Sequence, residues 1–284
     1  MKGSTNVPHL DLGDGFRLYY EVHGPALDAP DAATPVLLAH GAGGNAMSWW
    51  QQIPALMDRY PVITFDHRGF GRSPDIEDGP GRIAFGADTL ALLDHLDVPR
   101  VHFVGHSMGG RTAFALYGRD SERVVSLTYS GTNGGAVDDR YRALRKQLED
   151  DGTLAGTLLS RALAPTYAAE EPAKHFLYRR IRTINPPRAP EFLQQNGRMV
   201  NFRGTAATRL AQSGLPILWV VGEFDRVVHP DLIALSHDVT PGSRFHVIPG
   251  AGHSGYFERP DDWNATVRTF LDEVEDGRWV PQGK

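Results

Sequence analysis

Ser107 lies in the stretch GHSMG (residues 105–109), which has the pattern G-x-S-x-G. An apolar stretch, VHFV, precedes this pattern, and a stretch compatible with a helix follows it. Between a strand and a helix, the pattern is typical of a sharp turn that exposes a serine hydroxyl at the edge of a sheet. The start of a helix behind the serine also favours negative charge nearby. We therefore interpret Ser107 as a nucleophile.

A serine hydroxyl is a weak nucleophile without a general base, and that base needs an acid to orient it. The acid should follow a later strand, and the histidine should follow the acid in the chain. The apolar stretch PILWVVG leads directly to Glu223 and Asp225, and the last apolar stretch leads to GAGHS, which contains His253. We predict that Ser107, His253 and Asp225 form a catalytic triad, with Glu223 as an alternative acid.

Short apolar stretches alternate with helix-length stretches through most of the chain, which predicts an α/β fold with a mostly parallel sheet covered on both faces. The predicted strands are residues 16–22, 35–39, 61–65, 100–104, 124–129, 216–221 and 243–248. The predicted helices between them include residues 49–58, 84–96 and 109–117.

Residues 136–210 interrupt this alternation. They contain no buried-strand pattern, and prolines divide them into several amphipathic helical stretches. Their net charge is +5, whereas the rest of the chain carries −10. We predict a core domain formed by residues 1–135 and 211–284, with residues 136–210 as a helical cap over the site. A helical layer with a solvated basic face is the alternative.

Several motifs in order resemble those of the α/β-hydrolase superfamily, in the serine-nucleophile branch that includes enol-lactonases and carboxylesterases, and the resemblance covers nearly the whole chain. They are HGAGG (40–44), DHRGFGRS (66–73), GHSMGG (105–110), GEFD (222–225) and GAGHS (250–254). The resemblance implies an eight-stranded sheet with helices on both faces and a helical cap inserted after the sixth strand.

An oxyanion hole should use the backbone N–H of Met108, the residue after the nucleophile, and a second N–H from the loop after the first motif. The resemblance implies that Ala42 supplies the second donor. His40 is expected to support this loop by hydrogen bonding, and His106 is expected to pack under the nucleophile turn.

Three further residues are candidates for substrate binding. Arg111 stands four residues after Ser107 on the predicted helix, where a guanidinium could bind a substrate carboxylate in a bidentate manner. Some members of the superfamily that handle acidic metabolites have an arginine here, but a helix-surface charge or an internal ion pair also explains it. Trp49 and Trp50 follow the oxyanion loop and could wall the pocket, although helix packing explains them equally well.

The composition limits the remaining classes of function. The chain has 284 residues, 22% of them charged, and a net charge of −5, which disfavours nucleic-acid binding. The absence of cysteine excludes a disulfide and a thiolate nucleophile. We expect no metal, because no group of His, Asp and Glu has zinc-like spacing, and no cofactor. Without a signal-peptide core or an apolar span, we expect a cytoplasmic protein with no membrane partner.

These observations predict a serine hydrolase that cleaves a small carboxylic ester or lactone, with an anionic substrate favoured by Arg111 and the basic cap. Hydrolases of carbon–carbon bonds in ring-cleavage products share this triad and are the main alternative. Haloperoxidase-like esterases and a non-catalytic ligand receptor on the same fold are further alternatives, whereas a serine nucleophile argues against epoxide hydrolases and dehalogenases. The sequence leaves the oligomeric state open and does not rank the cap residues Tyr141, Tyr167, Phe176, Tyr178, Phe192 and Met199 as pocket lining.

Overall fold

Eight strands form one sheet in the computed structural model of the chain, which describes residues 8–13, 15–188, 192 and 205–282. The strands are β1 His9–Asp11, β2 Arg17–His23, β3 Val36–Ala39, β4 Val62–Phe65, β5 Val101–His106, β6 Val124–Ser130, β7 Ile217–Gly222 and β8 Arg244–Ile248. Their order in the sheet is β1-β2-β4-β3-β5-β6-β7-β8.

The strands from β3 to β8 pair in parallel, and β2 pairs antiparallel with both β1 and β4. β3, β4 and β5 are buried along their whole length, which explains their continuous apolar sequences. The predicted mostly parallel, eight-stranded α/β fold is therefore confirmed. Apolar patterning did not predict β1, because this edge strand has only three residues and none of them is fully buried.

Helices cover both faces of the sheet. They are α1 Ile53–Leu56, α2 Phe85–His95, α3 Met108–Arg119, α4 Asp139–Asp150, α5 Leu158–Arg161, α6 Tyr167–Glu170, α7 Pro172–Thr183, α8 Ala206–Ala211, α9 Pro230–Asp238, α10 Gly255–Glu258 and α11 Pro260–Glu275. Leu37 of β3 shares one core cluster with Phe114 of α3. Its neighbour Leu38 shares the other cluster with Trp263 of α11, because successive side chains of a strand point to opposite faces.

The helix predicted at residues 49–58 is interrupted in the structure. The segment forms a 3₁₀ turn over Ala46–Trp49 and then the single-turn helix α1, with Pro54 in the first positions of that helix. Proline has no N–H to donate to the residue four positions earlier, so it starts a helix here and does not continue one.

The helices α4–α7, here called the cap helices, follow β6 in the chain. The next helix, α8, belongs to the core, because Leu210 is buried in the same cluster as Leu37 and Ala206 packs against that cluster. The chain therefore rejoins the packed core before residue 211. As a statement about domains, the division at residues 136 and 210 stays a prediction.

Two features are absent from the described parts of the chain. None of the helices there combines the length and the apolar character needed to cross a bilayer. No group of three or more His, Asp or Glu side chains among the same residues is arranged to hold a metal ion.

Candidate active site

Ser107 occupies a strained turn between β5 and α3. Its φ of 52° and ψ of −112° lie in a region that side-chain-bearing residues rarely adopt. A Cβ atom at Gly105 would lie 2.6 Å from the backbone of Gly109, and one at Gly109 would lie 2.1 Å from the carbonyl oxygen of Ala39. The two glycines of G-x-S-x-G thus permit the close approach of helix and strands that holds the serine at the sheet edge.

Ser107, His253 and Asp225 form one hydrogen-bonded chain. The Ser107 Oγ atom lies 3.0 Å from His253 Nε2, and His253 Nδ1 lies 2.8 Å from Asp225 Oδ2. The other carboxylate oxygen, Oδ1, accepts hydrogen bonds from the backbone N–H groups of Val227 (2.7 Å) and Val228 (2.9 Å). Asp225 has no exposed surface, so its charge is directed at the imidazole and at these amides. With Nδ1 donating to Asp225, Nε2 is free to accept the serine proton.

The alternative acid, Glu223, lies elsewhere. Its side chain is exposed, and its Oε2 atom accepts a hydrogen bond of 2.9 Å from the backbone N–H of Gly250. The structure therefore brings Asp225, and not Glu223, into contact with His253.

Two backbone N–H groups beside Ser107 have no partner among the described residues. Met108 is the first residue of α3, so its N–H has no acceptor within the helix. The N–H of Ala42 likewise has no acceptor among the residues that the structure places. Both are thus available as donors to a substrate oxygen.

His40 holds the loop that carries Ala42. Its Nδ1 donates to the carbonyl oxygen of Gly41 at 2.9 Å, and its Nε2 accepts from the backbone N–H of His67 at 3.0 Å. Burial lowers the pKa of His40 to about 4, so the imidazole is neutral near pH 7 and Nε2 keeps the lone pair that this second bond needs. This geometry agrees with the supporting role expected from the sequence.

Asp66, the first residue of the DHRGFGRS motif, fixes the segment after the oxyanion loop. One carboxylate oxygen accepts from the backbone N–H of Ala46 at 2.6 Å, and the other accepts from the backbone N–H of Arg72 at 2.7 Å. Asp66 is fully buried, so both bonds lie in a setting where losing a partner is costly.

Residues at and after the end of α7 reach the same loop. The Asn185 amide nitrogen donates to the carbonyl oxygen of Gly43 at 2.8 Å, and its oxygen accepts from the backbone N–H of Gly71 at 2.8 Å. The Arg182 guanidinium donates to the carbonyl oxygen of Ala42 at 3.3 Å. The loop that carries Ala42 is thus bonded both to the core and to the segment that includes α7.

His106 packs under the nucleophile turn. Its Nδ1 donates to the carbonyl oxygen of Ser130 at 3.1 Å, and its ring lies 4.8 Å from the ring of His253. Burial, followed by the positive potential of His253, keeps the pKa of His106 well below its usual value. A neutral, buried ring fits the packing role expected for it.

Two cavities meet at Ser107 and Ala42. The larger has a volume of about 300 Å³ and is also lined by Arg82, Phe85, Met108, Arg111, Gly131, Thr132, Asn133 and Val228. The smaller has a volume of about 20 Å³ and is also lined by Gly41, Gly44, His106, Leu158, Ala162, Tyr178, Arg182, His253 and Tyr256.

Arg111 lies on the wall of the larger cavity, where its side chain keeps accessible surface. It forms no ion pair or hydrogen bond with any residue in the described ranges. Desolvation by the surrounding protein lowers the pKa of its guanidinium, and the nearby charge of Arg82 lowers it further. The group still carries its charge at neutral pH, because an arginine is not deprotonated in proteins.

Neither tryptophan is brought to Ser107. Trp49 is fully buried, with its ring 4.7 Å from Tyr256 and 6.1 Å from Trp263. Trp50 is 42% exposed and contacts the edge of Phe257. Since neither residue lines either cavity, helix packing accounts for their positions.

The aromatic candidates of the cap separate into different environments. Tyr178 lines the smaller cavity, and its hydroxyl bonds to Ser254 Oγ at 2.9 Å. Phe176 is 66% exposed, whereas Tyr141 and Tyr167 are buried. Phe192 packs against the rings of Phe70 and Phe85, and Met199 lies outside the described residues.

Sequence reasoning did not single out several residues that line the cavities. Thr132 and Asn133 come directly after β6, and the carboxyl ends of parallel strands are a common place for binding residues, so their position could have indicated them. Arg82 and Leu158 had no such signal, because one precedes a helix of the core and the other starts a short helix of the cap.

Known proteins share both the sequence and the fold. The family model described as "alpha/beta hydrolase fold" matches residues 34–260. A protein from Agrobacterium fabrum named "Putative carbamate hydrolase RutD" is 38% identical, over 89% of this chain and 98% of its own. The solved structure of Est816, described as an N-acyl homoserine lactone degrading enzyme, has a TM-score of 0.71 and 26% identity, with 93% of this chain and 100% of that chain covered. A thermophilic esterase from Thermogutta terrifontis has a TM-score of 0.71 and 25% identity, over 92% of this chain and 94% of that chain.

The family match over residues 34–260 includes the loop after β3, the turn at Ser107, Asp225 and His253. The fold and the resemblance predicted from the sequence are therefore confirmed, and the coarse assignment as a hydrolase is supported by the family and by these relatives. The chain belongs to the α/β-hydrolase fold family.

Proposed function

We propose that this protein hydrolyses a small carboxylic ester or lactone through an acyl-enzyme on Ser107. The observation that carries the proposal is the continuous hydrogen-bonded chain from Ser107 through His253 to the buried Asp225. Only a general base held in this orientation makes a serine hydroxyl an effective nucleophile.

In the first half of the reaction, Ser107 Oγ attacks the substrate carbonyl carbon, and His253 takes the hydroxyl proton. The N–H groups of Ala42 and Met108 donate to the oxyanion that develops on the carbonyl oxygen. Each such donor typically contributes about 3–4 kcal/mol of transition-state stabilisation. His253 then gives its proton to the leaving oxygen as the carbon–oxygen bond breaks.

In the second half, His253 takes a proton from water, and the resulting hydroxide attacks the acyl carbon of the ester on Ser107. When this intermediate collapses, His253 returns the proton to Ser107 Oγ and the acid is released. The proton and the electron pairs balance with water as the co-substrate, so these steps call for no cofactor. Asp225 stays ionised and stabilises the imidazolium throughout.

We also propose that Arg111 is the anchor for a substrate carboxylate, because it is a charged group without an ionic partner in the described residues and it faces the larger cavity beside Ser107. The partner of this protein is then a small molecule with an acidic group. We further propose a cytoplasmic location.

The test is hydrolysis by the wild type and by Ser107→Ala of a neutral p-nitrophenyl ester, an anionic ester, a simple lactone and a ring-cleavage dienoate. We expect ester or lactone turnover by the wild type and a loss of about 10⁴-fold or more in Ser107→Ala. Ser121→Ala, at an exposed serine, is the matched control and should keep wild-type rates.

Near-wild-type turnover by a correctly folded Ser107→Ala protein would contradict the proposal. Turnover of the dienoate alone would assign the protein to the carbon–carbon bond hydrolases. Tight binding of a small acid without turnover of any substrate would favour the receptor alternative.

A further inference from the structure

The two cavities at Ser107 differ in volume, in the number of arginines that line them and in whether His253 lines them. The smaller has one arginine, Arg182, whose guanidinium donates to the carbonyl oxygen of Ala42, and the larger has two. His253 lines only the smaller cavity, of about 20 Å³, whereas Arg111 and Arg82 line only the larger one, of about 300 Å³. Ala42 and Ser107 line both cavities. When the scissile carbonyl of a substrate lies at Ser107, one side of the substrate therefore occupies the larger cavity and the other side the smaller one.

The reaction assigns one side of the substrate to each space. His253 must give its proton to the leaving oxygen, so that oxygen lies on the His253 side of the carbonyl. A space of about 20 Å³ holds little more than one water-sized group. Leu158, Ala162 and Tyr178 close it from the cap, so a bulky alcohol has no room there.

The acyl part of the substrate then lies in the larger cavity, which is lined by two arginines. No Asp or Glu is found among the described residues that line either cavity. Arg111 forms no ion pair with a described residue, and its exposed side chain lies on the wall of this cavity. Such a cation gains most from a ligand that brings a carboxylate to it.

We propose, on the basis of the function proposed above, that the site is specific for substrates in which the acyl part carries the carboxylate and the leaving group is as small as methanol. The half-ester of a short dicarboxylic acid has this arrangement. A lactone fits it when the ring carbons lie in the larger cavity and only the ring oxygen faces His253. In both cases water is consumed, the acyl carbon–oxygen bond breaks, and His253 protonates the oxygen that leaves.

Two isomeric esters test the direction directly. Monomethyl glutarate carries its carboxylate on the acyl side with a methyl leaving group, whereas carboxymethyl butanoate carries the same charge on the alcohol side. We expect kcat/KM to be at least tenfold higher for monomethyl glutarate than for its isomer. Equal values, or the reverse preference, would overturn the proposal.

Arg111→Met tests the anchor through a ratio of rates. The neutral amide analogue methyl glutaramate is the reference substrate, and the ratio of kcat/KM for monomethyl glutarate to that for the amide should fall at least tenfold in Arg111→Met. Arg119→Met, on the same helix but outside both cavities, should keep the wild-type ratio. An unchanged ratio in Arg111→Met would show that Arg111 does not recognise the acyl carboxylate.

Leu158→Ala tests the limit on the leaving group. Enlarging the smaller cavity should raise the rate of the n-propyl ester of glutarate relative to the methyl ester at least fivefold. Leu159→Ala is the matched control, because Leu159 is 39% exposed and does not line this cavity. If Leu158→Ala leaves the methyl preference unchanged, or if the wild type already prefers the propyl ester, the size limit is wrong.

Failure of this proposal is distinguishable from failure of the function on which it depends. Ser107-dependent hydrolysis of a neutral methyl ester such as methyl butanoate, without a preference between the isomeric esters, overturns the substrate assignment alone. Hydrolysis that persists in Ser107→Ala, or no hydrolysis of any ester or lactone, overturns the proposed function and the substrate assignment with it.

Discussion

Asp225 accepts three hydrogen bonds while fully buried, and this arrangement fixes which proton His253 carries. In Asp225→Asn, an amide N–H would face His253 Nδ1 and favour the ring tautomer whose Nε2 cannot accept the Ser107 proton. We expect kcat to fall by about 10⁴-fold, as for an acid that sets the tautomer. The measurement is steady-state hydrolysis of a methyl ester such as methyl butanoate, followed by the release of protons.

Glu223→Gln is the matched control for Asp225→Asn. The amide oxygen of glutamine can still accept the bond from Gly250 N–H, so the rate should stay within about twofold of wild type. A large loss of rate in Glu223→Gln together with a small loss in Asp225→Asn would show that Glu223, and not Asp225, orients His253.

At the residue scale, the sequence indicated the triad because each member follows an apolar strand in a fixed order, and the sheet then brings the strand ends together. It indicated Arg111 because the residue stands one helical turn from Ser107. The sequence could not place Trp49 and Trp50. The same local sequence pattern is compatible with an indole that faces a cavity and with one that faces the core. The structure places Trp49 in the core.

At the scale of elements, the oxyanion loop is held by one neutral histidine and by one asparagine that follows the cap helices. Asn185 donates to Gly43 O and accepts from Gly71 N, each at 2.8 Å. Asn185→Ala removes both bonds, and each typically contributes about 1 kcal/mol. We expect kcat for a methyl ester to fall by about tenfold, and binding of a boronic acid, which mimics the tetrahedral intermediate, to weaken in parallel.

Thr183→Val, two residues earlier, is the control. Among the residues that the structure describes, the Thr183 hydroxyl bonds only to Arg180 O in its own helix. It should leave kcat and boronate affinity unchanged. If Asn185→Ala lowers only the melting temperature, Asn185 has a structural role and does not position the oxyanion loop.

Sequence patterns could not predict this contact. Asn185 is separated from Gly43 by 142 positions and from Gly71 by 114 positions, and it lies in no motif. The helix at residues 109–117 was predictable, because the strand, the serine and the glycines before it fix where it begins. The helix at residues 49–58 was not, because Pro54 starts a new turn inside an otherwise apolar stretch.

At the scale of the whole molecule, one buried carboxyl couples stability to pH. Glu258 accepts from Ala164 N at 2.6 Å and from Gly252 N at 3.0 Å, which joins the cap segment to the loop that carries His253. Burial raises the pKa of Glu258 from 4.5 to about 7. The folded state therefore binds more protons than the unfolded state between these values, and this group destabilises the fold as pH rises through that range.

We predict that the free energy of unfolding of wild type minus that of Glu258→Gln decreases as pH rises from 4.5 to 7. The decrease should be on the order of 3 kcal/mol if the full shift in pKa is expressed. Urea unfolding at a series of pH values measures it, with the exposed Glu122→Gln as control. A difference that stays constant with pH, or that increases, would contradict this assignment.

Buried and half-buried histidines act in the opposite direction. The pKa values of His40, His67, His106 and His237 are lowered, mainly by burial. The unfolded state binds more protons than the folded state below pH 6.5, so these groups destabilise the fold as pH falls. Subtracting the Glu258→Gln curve removes this shared contribution.

The overall fold was predictable because buried parallel strands are continuously apolar and short, and because the charge of residues 136–210 differs from that of the rest. The shape of the site was not predictable. The two cavities are built by residues from loops after several strands and from separate helices, including Arg82, Asn133, Leu158 and Tyr178. The relative positions of these residues depend on how the loops and helices pack together, and a single sequence does not show that packing.

The assignment of Ser107 as the nucleophile is tested most directly by covalent labelling of the wild type with a fluorophosphonate, followed by mass spectrometry of its peptides. We expect one adduct, on Ser107, together with loss of ester hydrolysis in proportion to labelling. Ser254 lies nearby with its hydroxyl bonded to Tyr178, and it should stay unlabelled. An adduct on Ser254, or full ester hydrolysis by protein labelled at Ser107, would contradict the assignment of Ser107 as the nucleophile.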